Sequence, residues 1–140
     1  ELETLVAAPV SKVWQTIVER PNDWWVADMR CVSTDSTVSL RAEAGGALAE
    51  TSPSGASLLW FTVIAVEPAR SLNLAGMVAP PFGGPYQGCL LIQLEEADGG
   101  GTLVKFTNTM IGRIDEAALP HIDAGWRLLL DGGIKACAEA

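Results

Sequence analysis

The stretch HIDAGWRLLLDGGIKAC, residues 121–137, decides the fold of this chain. Its apolar side chains recur at spacings of 4, 3, 1, 4 and 3, at Ile122, Trp126, Leu129, Leu130, Ile134 and Cys137. That spacing places them on one face of a helix more than four turns long, which must pack against another layer. Pro120 marks its first turn, and residues 115–119 form a separate lead-in turn. We expect Gly132-Gly133 to let the helix approach a sheet closely.

Extended segments fill most of the chain before this helix. They are rich in β-branched and aromatic residues or alternate in polarity, and Gly- or Pro-containing turns separate them. The predicted strands are residues 2–6, 37–42, 47–51, 58–67, 72–77, 86–96 and 102–110. Because most of the connections are short, the pairing is expected to be largely antiparallel.

Two short helices are predicted between the first strand and the second. Pro9 suits a helix first turn, and apolar residues follow it at helical spacing until Pro21. Asn22 or Asp23 then caps a second short helix over residues 24–26. The whole chain, residues 1–140, is thus predicted to be a single α+β domain in which a curved antiparallel sheet of about seven strands wraps around the long C-terminal helix.

Three segments resemble START-like (SRPBCC, Bet v 1-like) domains, in the same order along the chain. They are VAAPVSKVWQTIVERPNDWW (6–25), VIAVEPARSLNL (63–74), and TLVKFTNTMIG (102–112) followed by HIDAGWRLLLDGGIKA (121–136). Within that superfamily the chain is most similar to the group related to the activator of heat-shock-protein-90 ATPase. The resemblance implies a helix-grip fold with an open space between sheet and helix. Members bind lipids, hormones and polyketides, and some are cyclases or co-chaperones. Gly132-Gly133 departs from the family pattern, which has a leucine-bearing stretch before the lysine.

Aromatic and apolar side chains are predicted to line that space. The expected ligand-binding residues are Trp25, Trp60, Met77, Phe82, Tyr86, Phe106, His121 and Trp126. Of the adjacent Trp24 and Trp25, one should face the interior and the other the surface, because neighbours on a helix point about 100° apart. Strand alternation likewise places Trp60 and Phe61 on opposite faces. The loop APPFGGP, residues 79–85, carries Phe82 where it can close a mouth. The alternative is that these side chains simply fill a core.

Few residues offer catalytic or metal chemistry. His121 is the only histidine, so nucleophilic triads and multi-histidine zinc sites lack partners. The acidic residues beside it, Asp115, Glu116 and Asp123, suit a helix N-terminus. His121 remains the one candidate general acid or base. We expect no metal and no cofactor.

Composition excludes further classes. The formal charge is −8, and the nine Lys and Arg residues are scattered, which argues against a nucleic-acid partner. No apolar run reaches the roughly 20 residues that span a bilayer. Cys31, Cys89 and Cys137 are widely spaced, so we expect three mostly buried free thiols and a reducing, cytoplasmic location. The chain begins at Glu1 without a methionine, which leaves a trimmed start or a removed leader open.

Three functions follow, in order of preference. The first is binding of a small hydrophobic ligand in the cavity. The second is a protein-interaction, co-chaperone-like role or a homodimer, through an apolar patch around Trp24 and Phe61. The third is a cofactor-independent cyclase or dehydratase that uses His121, so the sequence leans away from an enzyme without deciding the question.

Overall fold

The computed structural model describes residues 1–140 and contains one seven-stranded sheet in which every neighbouring pair is antiparallel. The strands are β1 (Leu2–Val6), β2 (Thr37–Leu40), β3 (Ala47–Thr51), β4 (Ser57–Glu67), β5 (Ser71–Val78), β6 (Tyr86–Ala97) and β7 (Gly101–Gly112). Their order across the sheet is β1-β7-β6-β5-β4-β3-β2. Consecutive hairpins build β2 to β7, and β1 adds to the far edge beside β7. The sheet curls around a C-terminal helix of 24 residues, so the predicted helix-grip, α+β architecture is confirmed.

Two helices follow β1, as the sequence predicts. Helix α1 (Val10–Glu19) buries Val13 and Ile17 from its apolar stripe. Helix α2 (Pro21–Trp24) begins three residues earlier than expected, because Pro21 occupies its first turn. The Asn22 side chain does not cap it; its Oδ1 accepts hydrogen bonds from Val38 N at 2.9 Å and from an Arg30 guanidinium nitrogen at 3.1 Å.

Two β-bulges bend β4. Its register against β3 shifts opposite Leu48 and Ala49, and its register against β5 shifts between Val63 and Ala65. Each bulge inserts one extra residue, which kinks the strand and changes the face to which later side chains point. The bulges help a sheet of this width to curl.

The C-terminal helix is not uniform. A 3₁₀ turn (Glu116–Ala118) leads directly into α3 (Leu119–Arg127), a π-helical segment follows over Leu128–Lys135, and α4 (Ala136–Glu139) ends it. The predicted lead-in turn is thus continuous with the helix. The wider π-helical winding covers the Gly132-Gly133 pair.

Gly133 lies against α2 and not against the sheet, which corrects the sequence-based expectation. A Cβ atom at Gly133 would lie 2.1 Å from the carbonyl oxygen of Trp24. The glycine therefore permits backbone contact between the C-terminal helix and α2. At Gly132 the nearest atom is the flexible Leu128 Cδ1, at 3.3 Å.

The hydrophobic core occupies one end of the space inside the sheet. It is a single cluster of 21 buried residues. The second half of the C-terminal helix contributes Leu130, Ile134 and Ala138, where α1 and α2 also pack. The first half of the helix, α3, has no fully buried residue. The interior is therefore filled under the second half of the helix and left open under the first. None of the helices is long and apolar enough to cross a membrane.

Candidate functional site

A cavity of about 470 Å³ lies between α3 and the ends of β4 to β7. Its wall consists of 25 residues, of which 18 are hydrophobic. The remaining seven are four glycines, Asn108, Asp115 and His121. The volume is within the usual range for small-molecule pockets. The β5–β6 loop and the β7–α3 connection lie at its mouth.

Two glycines lie in the inner wall of the cavity, and one of them leaves it open. Gly76 on β5 and Gly88 on β6 are directly paired across the sheet. Each is two residues from a buried leucine, Leu74 or Leu90, and so shares its face of the sheet. Both therefore lie on the inner face without a side chain to fill it. Around Gly88 the space is open, because a Cβ atom there would have only Asn108 Oδ1 within 4 Å, at 3.8 Å. At Gly76 a Cβ atom would instead lie 2.3 Å from the carbonyl oxygen of Trp60.

The first bulge of β4 brings both Trp60 and Phe61 to the cavity. Phe61 pairs with Leu48 and Leu59 pairs with Ala49, so Trp60 is the extra residue between them. Phe61 is buried, Trp60 is half-buried and both contact the cavity. The prediction that they point to opposite faces is wrong, because strict alternation fails at a bulge.

Trp24 and Trp25 are both buried, with 2% and 1% of their surface exposed. The expectation that one of them faces solvent is wrong. Trp25 follows the last residue of α2 and has ψ 88°, so the helical rotation between neighbours no longer applies. Its ring lies 5.5 Å from that of Trp24 and 4.9 Å from that of Trp60. Trp24 Nε1 donates to the Ile17 carbonyl at 3.0 Å. Both belong to the hydrophobic core, and Trp25 also lines the cavity.

Some of the other aromatic residues predicted to bind a ligand line the cavity, and one lies in the hydrophobic core. Trp126 is half-buried on the helix side and packs edge-on against Phe106, at 6.1 Å between ring centroids. Phe106 is a core residue that borders only a smaller adjoining pocket of about 220 Å³. Tyr86 lines the cavity, and burial raises the pKa of its hydroxyl.

Met77 and Phe82 lie at the rim. They line the mouth but expose 67% and 51% of their surface. Phe82 belongs to a 3₁₀ turn (Pro80–Phe82), which is followed by Gly83 at φ 95°. The apolar loop tip thus stands beside the opening, as the sequence predicts.

His121 also lies at the mouth and is exposed. No polar side chain is hydrogen-bonded to it, so the imidazole lacks the partner that would orient it for proton transfer. Asp115 accepts a hydrogen bond from Ala117 N at 3.0 Å and caps the 3₁₀ turn. The helix-terminus interpretation of that acidic residue is confirmed. No three His, Cys, Asp or Glu side chains come together as metal ligands.

Glu50 is a buried carboxylate that sequence reasoning missed. It is 0% exposed and accepts hydrogen bonds from Cys31 N, Val32 N, the Ser36 hydroxyl and Trp60 Nε1, at 2.5 to 3.1 Å. Burial raises the pKa of its carboxyl, but these hydrogen bonds outweigh burial and leave the pKa lowered. The sequence did contain one signal of its burial: Glu50 follows Leu48 by two residues, which places both on the inward face of β3. Glu50 fixes one wall of the cavity through Trp60 and the Cys31 segment.

The cysteines are free, but not mostly buried as predicted. Cys31 and Cys89 are exposed, and Cys137 is half-buried. Cys89 falls on the outer face of β6, between the inward Gly88 and Leu90. Although Cys31 is exposed, partial desolvation of its thiol and the nearby Glu50 charge raise the pKa of that thiol, which disfavours a reactive thiolate.

Solved structures share this fold along nearly the whole chain. A protein from Rhizobium leguminosarum aligns with a TM-score of 0.73 and 18% identity over 99% of this chain and 91% of its own. A Mesorhizobium loti protein aligns at 0.72 and 16% identity, covering 97% and 93%. The Aha1 dimer from Colwellia psychrerythraea aligns at 0.69 and 19% identity, covering 99% and 93%. No family model and no curated relative matches the sequence.

The likeness is one of fold. It includes an Aha1 protein, and the curled antiparallel sheet with its C-terminal helix is the helix-grip arrangement. The fold implied by the sequence resemblance is thereby confirmed. What the cavity holds must be argued from its own residues.

Proposed function

We propose that this protein binds a small hydrophobic molecule in the cavity between α3 and the sheet. The observation that carries the proposal is the cavity itself, about 470 Å³ in volume with 18 hydrophobic residues among the 25 that line it. An apolar wall of this extent favours burial of an apolar ligand. Trp25, Trp60 and Trp126 provide flat contact surfaces, and Phe82 stands beside the mouth.

The proposal is tested with N-phenyl-1-naphthylamine, an uncharged apolar dye whose fluorescence rises when it leaves water. The wild-type protein should bind the dye at a single saturable site. Gly88→Leu places an isobutyl group in the open part of the cavity and should lower the affinity at least about tenfold, since the side chain occupies the space of the ligand. Its unfolding temperature should not fall, because the new side chain fills a void.

Thr109→Leu is the matched control. Thr109 lies opposite Cys89 on β7 and is exposed, so the same side chain is added outside the cavity. Its dye affinity should equal that of the wild type. Absence of saturable binding by the wild-type protein, or equal binding by Gly88→Leu, would rule out this cavity as a hydrophobic binding site.

A second candidate function is protein interaction, for which the Met77–Ile111 row, two exposed apolar side chains on either side of the polar Gln87, gives support. Met77 and Ile111 both pair with Gln87, one from each side, and expose 67% and 75% of their surface. The patch predicted around Trp24 and Phe61 does not exist, because both are buried. A second copy of the chain is the partner we propose for the Met77–Ile111 row, and the dimeric state of the Colwellia Aha1 protein is consistent with it.

Acid–base catalysis by His121 is not part of the proposal, because the imidazole is exposed and no polar side chain is hydrogen-bonded to it. Two exposed free thiols, Cys31 and Cys89, support a reducing compartment such as the cytoplasm.

A further inference from the structure

Asn108 is the one uncharged amide side chain in the cavity wall. It lies on β7 opposite Leu90, in the alternation that also turns Phe106 and Met110 inward. Its Oδ1 lies over Gly88, where the missing side chain leaves open space. Asn108 therefore borders the part of the cavity that a ligand would fill.

The Asn108 amide has no protein partner. No other residue is hydrogen-bonded to it. If its amide atoms were fully buried, they would be buried polar atoms without a partner, and Arg30 Nε is the only side-chain atom of that kind. The amide must therefore face accessible space. Asn108 borders both the main cavity and the adjoining pocket of about 220 Å³, and its Oδ1 lies on the main-cavity side, beside Gly88. A ligand that displaces water from this amide without replacing its hydrogen bonds leaves it buried and unpaired, which is costly. A ligand that satisfies the amide therefore gains affinity over one that does not.

Among the side chains that line the cavity, the carboxyl and imidazole groups lie at the mouth. Asp115 and His121 line the cavity but are exposed, and the molecule carries a formal charge of −8. Inside, no Lys or Arg lines the wall to pair with an acid. A ligand charge carried into this interior would be desolvated without compensation.

We infer that Asn108 selects the ligand by its polar group, and that the ligand is an uncharged, mostly apolar molecule bearing one hydroxyl or carbonyl. The inference rests on the proposed binding function and adds the chemical class. The amide offers both a donor and an acceptor, so it can meet a hydroxyl or a carbonyl oxygen. Tyr86, half-buried on β6, adds a hydroxyl-bearing side chain to the cavity wall.

The experiment compares three probes that share one fused ring system: naphthalene, 2-naphthol and 2-naphthoate. Dissociation constants are measured by equilibrium dialysis for the wild type, Asn108→Leu and Thr109→Val. We expect the wild type to bind 2-naphthol about fivefold to tenfold more tightly than naphthalene, and 2-naphthoate more weakly than 2-naphthol. Asn108→Leu should bind naphthalene at least as well as the wild type and lose the preference for 2-naphthol. Thr109→Val, an adjacent change on the outer face, should keep it.

The possible outcomes separate the claim that Asn108 selects the ligand from the claim that the cavity binds a hydrophobic molecule. If the wild type binds all three probes without preference, or if Asn108→Leu keeps the preference, the role of Asn108 is overturned and the binding function stands. If the wild type binds none of them, the binding function fails, and the inference with it. Asn108→Ala removes the amide without adding bulk and gives the same comparison should Asn108→Leu not fold.

Discussion

Glu50 shows how a single residue can connect the stability of the fold to the cavity. Every group hydrogen-bonded to its carboxylate is a donor, and one of these donors, the Trp60 indole, belongs to the cavity wall. A carboxylate is the side chain that meets several donors and offers none of its own. The position therefore requires a negative charge in the interior, held by hydrogen bonds alone.

Glu50→Gln should destabilise the protein by about 2–3 kcal/mol at pH 7, because its amide group must turn a donor toward other donors. The pH dependence follows from the lowered pKa of Glu50. A carboxyl with a lowered folded-state pKa contributes stability above its ordinary value of 4.5 and loses it as the pH falls through the folded value. The difference between wild type and Glu50→Gln, measured by urea unfolding, should thus narrow below pH 4.5.

Glu19→Gln serves as the control, because Glu19 is exposed at the end of α1. It should leave stability nearly unchanged. A stability difference between wild type and Glu50→Gln that stays constant as the pH falls would contradict this account.

At the scale of elements, the C-terminal helix is shaped by where it touches α2. Two adjacent glycines lie in its π-helical segment, and each costs helix stability relative to alanine. Only Gly133 meets backbone, at Trp24, whereas Gly132 is exposed. Substitutions at the two glycines can therefore distinguish the effect of packing against α2, which applies at Gly133, from the effect of helix propensity, which applies at both.

Gly133→Ala should destabilise the protein by about 2–3 kcal/mol, because its methyl group would overlap the Trp24 carbonyl and force the helix away from α2. Gly132→Ala should leave stability unchanged or raise it by up to about 1 kcal/mol through helix propensity. Urea unfolding monitored by tryptophan fluorescence measures both. Equal effects of the two changes would mean that the contact with α2 does not constrain the helix.

For the whole molecule, the sheet presents two different apolar surfaces at its open end. The inner one lines the cavity, and the outer one is the Met77–Ile111 row. An exposed apolar row on a sheet is suited to association with another surface. The net charge of −8 opposes close approach of two copies, so association through this row should strengthen with salt.

We expect the wild type to form dimers at high concentration and in salt, and Ile111→Lys to raise the dissociation constant at least about tenfold, because it places a charge in the contact. Analytical ultracentrifugation over a concentration series measures this. Ile64→Lys, on an exposed part of β4 outside the row, is the matched control and should dimerise as the wild type does. A wild type that stays monomeric throughout would exclude the row as a self-association surface.

The fold was determined by the sequence alone to within a few residues. Three features were readable because they depend on residues two to four positions apart in the chain. They are the apolar stripe of the C-terminal helix, which ends in Ile134 and Cys137, the strand segments, and the Gly- and Pro-rich turns. The helix-grip arrangement then follows from packing an apolar helix face on an antiparallel sheet. The expectation that Trp25, Trp60 and Trp126 lie at the cavity came from the family resemblance and not from these patterns.

The composition of the site was decided only by the tertiary structure. A bulge turned both Trp60 and Phe61 inward, and strand register placed Gly88 on the inner face, where its missing side chain leaves the cavity open. The same register placed Asn108 over the gap. The physical reason is that these contacts join strands through register and bulges, which depend on interactions between residues far apart in the chain.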